Sequence, residues 1–311
     1  MSDLIFYTHS DCLLKNNGHH HPERRERLET IFESINEISD IRIDKKNASI
    51  ASLKTINLVH PENYVKKMLS KIPNSGLIAV EEEPYADTFL CSNSKNAILR
   101  SCGAGIDAAD DLITNNNKRI LCGVRPPGHH AETVRAIGFC FINNVAVCAR
   151  YLQKTYKVQK IAIIDFDVHH GNGTQEIFYN DETVAYFSIH QSPLFPGTGL
   201  KEERGVGNIF NAPIKSGTTS NEFHEIFEYK ILENVDKFKP EVIILSCGFD
   251  AHFRDPLGTI NLKSQDFYKI TKKISCLSDL HSNGRVISFL EGGYDLLALH
   301  ESIKEHIKGL I

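Results

Sequence analysis

The stretch Ile161-Ala162-Ile163-Ile164-Asp165-Phe166-Asp167-Val168-His169 passes from an unbroken apolar run straight into three ionisable side chains spaced by two. A short continuous run rich in β-branched residues is the pattern of a strand covered on both faces. On an extended segment that spacing puts Asp165, Asp167 and His169 on one side. The same succession recurs along the chain. Residues 119–124 read as a strand followed by Arg125-Pro126-Pro127-Gly128-His129-His130, and 184–189 as one followed by His190. Residues 242–246 lead into Cys247-Gly248-Phe249-Asp250, and 285–290 into Glu291-Gly292-Gly293-Tyr294-Asp295. Amphipathic helical patterns lie between, over 145–156, 222–238 and 264–280, and Pro22 is placed to open a helix over 23–28. Strands alternating with helices predict an α/β fold, a parallel sheet flanked by helices on both faces. Such sheets bind ligands outside the carboxyl ends of their strands, so five separate segments deliver polar groups to one rim.

With 311 residues, 41% hydrophobic and 24% charged, the composition excludes a disordered chain or a repeat fibre. No Pro/Gly/Ser linker divides it, so 1–311 is expected to form one domain. A net charge of −4 offers no bulk attraction to nucleic acid or to an anionic membrane, and neither is an expected partner. No basic segment leads into an apolar core near Met1, and no apolar run approaches the ~20 residues that span a bilayer, so a cytoplasmic location is expected. The eight cysteines include no C-x-x-C pair, which argues against a thiolate zinc site or a dithiol redox motif. Residues 81–84 and Asn115-Asn116-Asn117 read as solvated connections.

Two carboxylates at the end of a buried strand repel each other and lose hydration unless a cation neutralises them. With Asp250 as a third donor, Asp167, His169 and Asp250 form a candidate site for zinc or a similar divalent ion, one coordination position being left for chemistry. The plainer alternative is a salt-bridged aspartate pair with a capping histidine. His129 and His130 in a Pro-Gly turn make poor core filler, because adjacent imidazoles cannot share one partner; they suit acid–base work near neutral pH. Tyr294 follows two glycines that let its ring come close to a reacting carbonyl, where a phenol stabilises an oxyanion. A half-buried core tyrosine is the alternative. Phe139 and Phe195 lie in glycine- and proline-rich loops that suit the walls of a passage, core packing being the default for any phenylalanine. His19-His20-His21 lies in an N-terminal loop with no strand expected before it, which suits a rim or surface position better than ligation.

Seven segments, His21-Pro22-Glu23-Arg24, 125–131, 138–144, 165–175, 195–199, 246–258 and 290–295, resemble in order the motifs of the histone deacetylase and acetylpolyamine amidohydrolase superfamily. The segment 165–175 is similar to the class II branch, with Asn172 where class I enzymes carry Asp. The resemblance implies the arginase–deacetylase fold, a single catalytic domain built on an eight-stranded parallel sheet. It implies zinc, or iron in its place, on Asp167, His169 and Asp250. His130 would be the general base and later the acid, His129 an electrostatic partner held by Asp165, Asn172 the group orienting His130, and Tyr294 the oxyanion stabiliser. Gly138, Phe139 and Phe195 would line the acyl-lysine stem, with Leu257 at the mouth and Asp87 at the rim. A structural K+ or Na+ ion would use Asp165, Asp167, His169, Ser188 and the Ile189 backbone.

The same resemblance bears on substrate. Polyamine-selective relatives carry a glutamate where Leu257 stands, so the expected reaction is hydrolysis of N-ε-acetyl-lysine in proteins or peptides. An acetylated polyamine or other small amine is the alternative substrate, and a non-catalytic acyl-lysine binding module the distant one. A neutral Asn172 stabilises imidazolium less than an aspartate would and so favours a neutral His130.

Overall fold

The protein's computed structural model describes residues 3–81, 86–114 and 118–311. The connections read at 82–84 and Asn115-Asn116-Asn117 lie outside the described residues. The strands are β1 (Leu4–Thr8), β2 (Ile43–Asn47), β3 (Ile78–Ala79), β4 (Phe89–Leu90), β5 (Arg119–Cys122), β6 (Ile161–Asp165), β7 (Val184–Gln191), β8 (Ile209–Ile214), β9 (Val242–Cys247) and β10 (Val286–Leu290). Eight of them form one parallel sheet in the order β2-β1-β5-β10-β9-β6-β7-β8, and β3 and β4 form a separate antiparallel pair. All five strands read from the sequence are present, and β6, β9 and β10 are buried along their whole length. Central parallel strands covered on both faces tolerate only such continuous apolar runs.

Two of the strands that the apolar pattern did not single out have physical reasons to escape it. β2 is Ile43-Asp44-Lys45-Lys46-Asn47 and β8 contains Asn211 and Pro213; both lie at the sheet's edges. Charge and proline on an edge discourage further pairing and erase the apolar signature. β1 is apolar and lies inside the sheet between β2 and β5, so a strand does precede the His19–His21 loop. The helix expected from residue 23 begins only at Glu26 (Glu26–Glu37), because the Glu23 carboxylate accepts from Arg125 Nη2 at 2.9 Å and its carbonyl from Asn17 Nδ2 at 2.6 Å. The helix read over 222–238 is one continuous element with a π-helical segment, Phe227–Leu232, between α-helical ends.

Crossover direction sorts the helices into two layers. From β2 and β1 the chain steps through β5, β6 and β7 toward β8, whereas β1→β2 and β8→β9→β10 run the opposite way. Right-handed crossovers therefore put Ser94–Thr114 and Asn144–Tyr156 on one face and Glu26–Glu37 and Ser264–His281 on the other. The chain leaves β6 in one direction and leaves its neighbour β9 in the other. A crevice opens at such a switch point, beyond the carboxyl ends of the two strands. Among the described residues, no helix is long and apolar enough to cross a membrane.

Candidate metal centre and active site

Asp165 is the last residue of β6, and Asp167 and His169 follow it into the crevice; Asp250 arrives from the loop after β9. Each carboxylate is anchored by backbone N–H groups. Val168 N donates to Asp250 Oδ1 at 2.8 Å, and Gly292 N donates to Asp167 Oδ2 at 2.8 Å. His169 Nδ1 then lies 3.1 Å from Asp167 Oδ1 and 3.1 Å from Asp250 Oδ2. One ligand atom from each of the three residues falls within 4.8 Å of the others, and all three are buried. A Cβ on Gly248 or Gly292 would run into these carboxylates, so glycine backbone closes the cradle.

The donor set fits a small dication. One imidazole N–H cannot satisfy two buried carboxylates, and an unneutralised buried pair is costly. The charges of the protein alone express this deficit. Burial and the Asp167 carboxylate push Asp250 up to about 7. Burial would lower His169, yet its bonds to Asp167 and Asp250 lift it to about 10. Two carboxylates and one imidazole with a further position free is the ligand class of zinc and its neighbours in hydrolytic sites.

His129 and His130 leave β5 in the Pro126-Pro127-Gly128 turn, their rings 4.0 Å apart, and their environments drive them in opposite directions. His129 Nδ1 is 3.0 Å from Asp165 Oδ2; burial disfavours its charge, but Asp165, Asp167 and Glu291 prevail and raise it to about 10. His130 Nδ1 is 2.8 Å from Asn172 Oδ1, and burial together with the charges of His129 and His169 holds it well below the usual histidine range. One ring is cationic and the other neutral, the divergence that acid–base sites display. Tyr186 Oη donates to Asp165 Oδ2 at 2.9 Å, and the Asp165–Ser188 register of β6 and β7 brings Ser188 and Ile189 beside Asp165.

A cavity of about 300 Å³ opens onto this cluster, lined by Asp87, His130, Gly138, Phe139, His169, Leu194, Phe195, Leu257 and Tyr294. Phe139 takes φ +68° after Gly138 at +58°, and Phe195 packs 5.1 Å from the His130 ring, so two aromatic walls flank the passage. Tyr294 Nα is held by Asp255 Oδ2 at 2.7 Å; burial, opposed by the Arg27 guanidinium, keeps its phenol protonated well above the usual range. His21 borders the mouth, its ring 4.7 Å from Phe139 and its Nε2 3.1 Å from the Asp87 carbonyl oxygen.

Supporting residues escaped the sequence reading. Glu291 Oε2 accepts from Gly128 N at 2.7 Å and His129 N at 3.2 Å, clamping the histidine turn to the end of β10. Glu132 Oε1 accepts from Asn172 Nδ2 at 2.7 Å. A carboxylate directly after an apolar strand was the available signal for Glu291. Glu132, two residues past His130, had none of its own.

A doubly wound sheet with an Asp/His/Asp cluster, a neutral and a charged histidine and a phenol around one narrow passage defines a metal-dependent hydrolase of the arginase–deacetylase class. The family profile described as histone deacetylase domain matches residues 21–310, and the chain belongs to that family. It is 34% identical over 303 residues to the probable deacetylase of Archaeoglobus fulgidus, covering 95% of this chain and 82% of that one. It is 33% identical to histone deacetylase 14, chloroplastic, of Arabidopsis thaliana, covering 96% and 74%. The crystal structure of the HDA15 HD domain superposes with a TM-score of 0.91 at 31% identity, over 99% of this chain and 88% of the other. The protein is thus a deacetylase, a hydrolase of a family in which zinc dependence is typical.

Proposed function

We propose that residues 1–311 act as one catalytic domain that hydrolyses the acetyl amide of N-ε-acetyl-lysine in proteins or peptides, using zinc on Asp167, His169 and Asp250. The observation that carries this reading is the opening of one aromatic-walled cavity onto His169, His130 and Tyr294 together. Zinc supplies, when bound, a nucleophile at neutral pH and polarisation of the scissile carbonyl. His130 accepts the proton of the attacking water at Nε2 and delivers it to the departing lysine amine. His129, held by Asp165, keeps positive charge beside the developing negative charge. Tyr294 donates its phenolic proton in a hydrogen bond to the carbonyl oxygen as that oxygen gains charge. Gly138, Phe139 and Phe195 hold the apolar stem, and Leu257 adds an uncharged side chain at the mouth. A potassium or sodium ion is proposed at Asp165, Asp167, His169, Ser188 and the Ile189 carbonyl; the β6–β7 register supports it.

An acetylated small amine is the second reading, and Asp87 is the feature that favours it, a carboxylate at the mouth able to attract a further ammonium group. The deciding measurement is kcat/KM on zinc-loaded protein for an acetyl-lysine peptide against acetylputrescine and acetylspermidine. The peptide is expected to lead by at least tenfold, about 1.4 kcal/mol in the transition state. A lead of that size for the polyamines overturns the peptide assignment.

A further inference from the structure

We infer that Glu132 is a positioning residue for the reaction, selecting the His130 tautomer through the orientation of the Asn172 side-chain amide. The inference rests on His130 being the base of the proposed function. Asn172 lies between the two groups, its Oδ1 2.8 Å from His130 Nδ1 and its Nδ2 2.7 Å from Glu132 Oε1. An amide can face His130 with either end, and an ionised carboxylate has no proton to donate. The end that meets Glu132 must therefore be the NH2 group, which leaves the oxygen for His130. An oxygen facing Nδ1 obliges Nδ1 to carry the proton, so the lone pair sits on Nε2. Turned the other way, the amide would present N–H to Nδ1 and move the imidazole proton to Nε2, where it blocks proton uptake. The competing acceptor for Nδ2, the His130 carbonyl, is longer at 3.4 Å. Glu132 itself is held by a reciprocal backbone bridge to Arg135, 3.0 and 3.4 Å, in the turn that follows the histidine pair.

The zinc-loaded protein supplies two independent readouts. In ¹⁵N-edited imidazole spectra, His130, assigned by its loss in His130→Ala, is expected as the Nδ1–H tautomer. An Nε2–H tautomer in the unsubstituted protein overturns the inference whatever the activity. In kinetics, each variant being measured on the plateau of its own pH profile, Glu132→Ala is expected to lower kcat about tenfold with little change in KM, in the range of lost outer-shell partners. Glu132→Gln retains an accepting oxygen and most of the rate. Both oxygens of an aspartate accept, so no amide is left to turn and Glu132→Ala introduced into Asn172→Asp is expected to cost nothing further in kcat. Equal losses in the two backgrounds, or a kcat of Glu132→Ala within twofold of the parent, overturn it. A parent protein inactive on acetyl-lysine would instead reject the proposed function while leaving the tautomer measurement intact.

Discussion

At the scale of single residues, the informative contrast is between two neighbouring imidazoles. His129 faces a carboxylate and His130 an amide, and that difference of one partner helps set one charged and the other neutral. Asn172→Asp tests the assignment. A carboxylate at 2.8 Å favours imidazolium and raises the pKa of His130, by about one unit or more for a close ion pair. A base works only when unprotonated, so the acidic limb of kcat/KM against pH is expected to move upward by that amount. Glu132 would then face a second carboxylate in place of an N–H donor, which pushes in the same direction. A limb that stays in place or moves down counts against His130 as the base. The histidines and Asn172 were legible in the chain because their motif is local. Glu132 was not, because its role depends on a partner 40 positions away.

At the scale of elements, the segment before the helix Glu26–Glu37 is tied to the end of β5 by a buried charge cluster. Glu23 is fully buried and meets Arg125 Nη2 at 2.9 Å, Arg27 Nη1 at 3.4 Å and Asn17 Nδ2 at 2.7 Å. Burial pushes its carboxyl up, but Arg125, Lys15 and Arg27 hold it well below the ordinary 4.5. Glu23→Gln strands buried cations, so it is expected to lower unfolding stability by about 3–5 kcal/mol in urea titrations at neutral pH. A folded pKa below the unfolded one gives a contribution complete above pH 4.5 and lost as pH falls through the depressed value. The gap between parent and variant should accordingly close in acid, and a gap independent of pH would contradict the charge argument. The proline at 22 suggested an earlier helix start; the demand of this cluster for the Glu23 side chain and carbonyl moved it to Glu26.

At the scale of the molecule, the candidate metal ligands come from the tips of two strands that adjoin only because the chain reverses its direction of travel between them. A dication bound there would offset the repulsion of Asp167 and Asp250 and join the two halves of the sheet. Chelation is expected to abolish turnover and lower Tm, and zinc to restore both. At a thousandfold excess of zinc over Kd the linkage is worth about 4 kcal/mol, or roughly 6 °C for a chain of this size. An unchanged Tm with tight zinc binding elsewhere would place the metal outside this cluster.

The fold class and the location of the chemistry were in the amino-acid order itself. Apolar runs, their period and the residues that end them are local properties, read without knowing what lies alongside. Edge strands such as β2 and β8 lack that signature because half of their environment is solvent. Which strands stand side by side, that the His169 imidazole meets the Asp250 carboxylate 81 positions away, and which way the Asn172 amide turns were decided only in three dimensions. Those contacts join positions far apart in the chain, and packing of the complete sheet and its helix layers selects them, a cooperative outcome that no local pattern encodes.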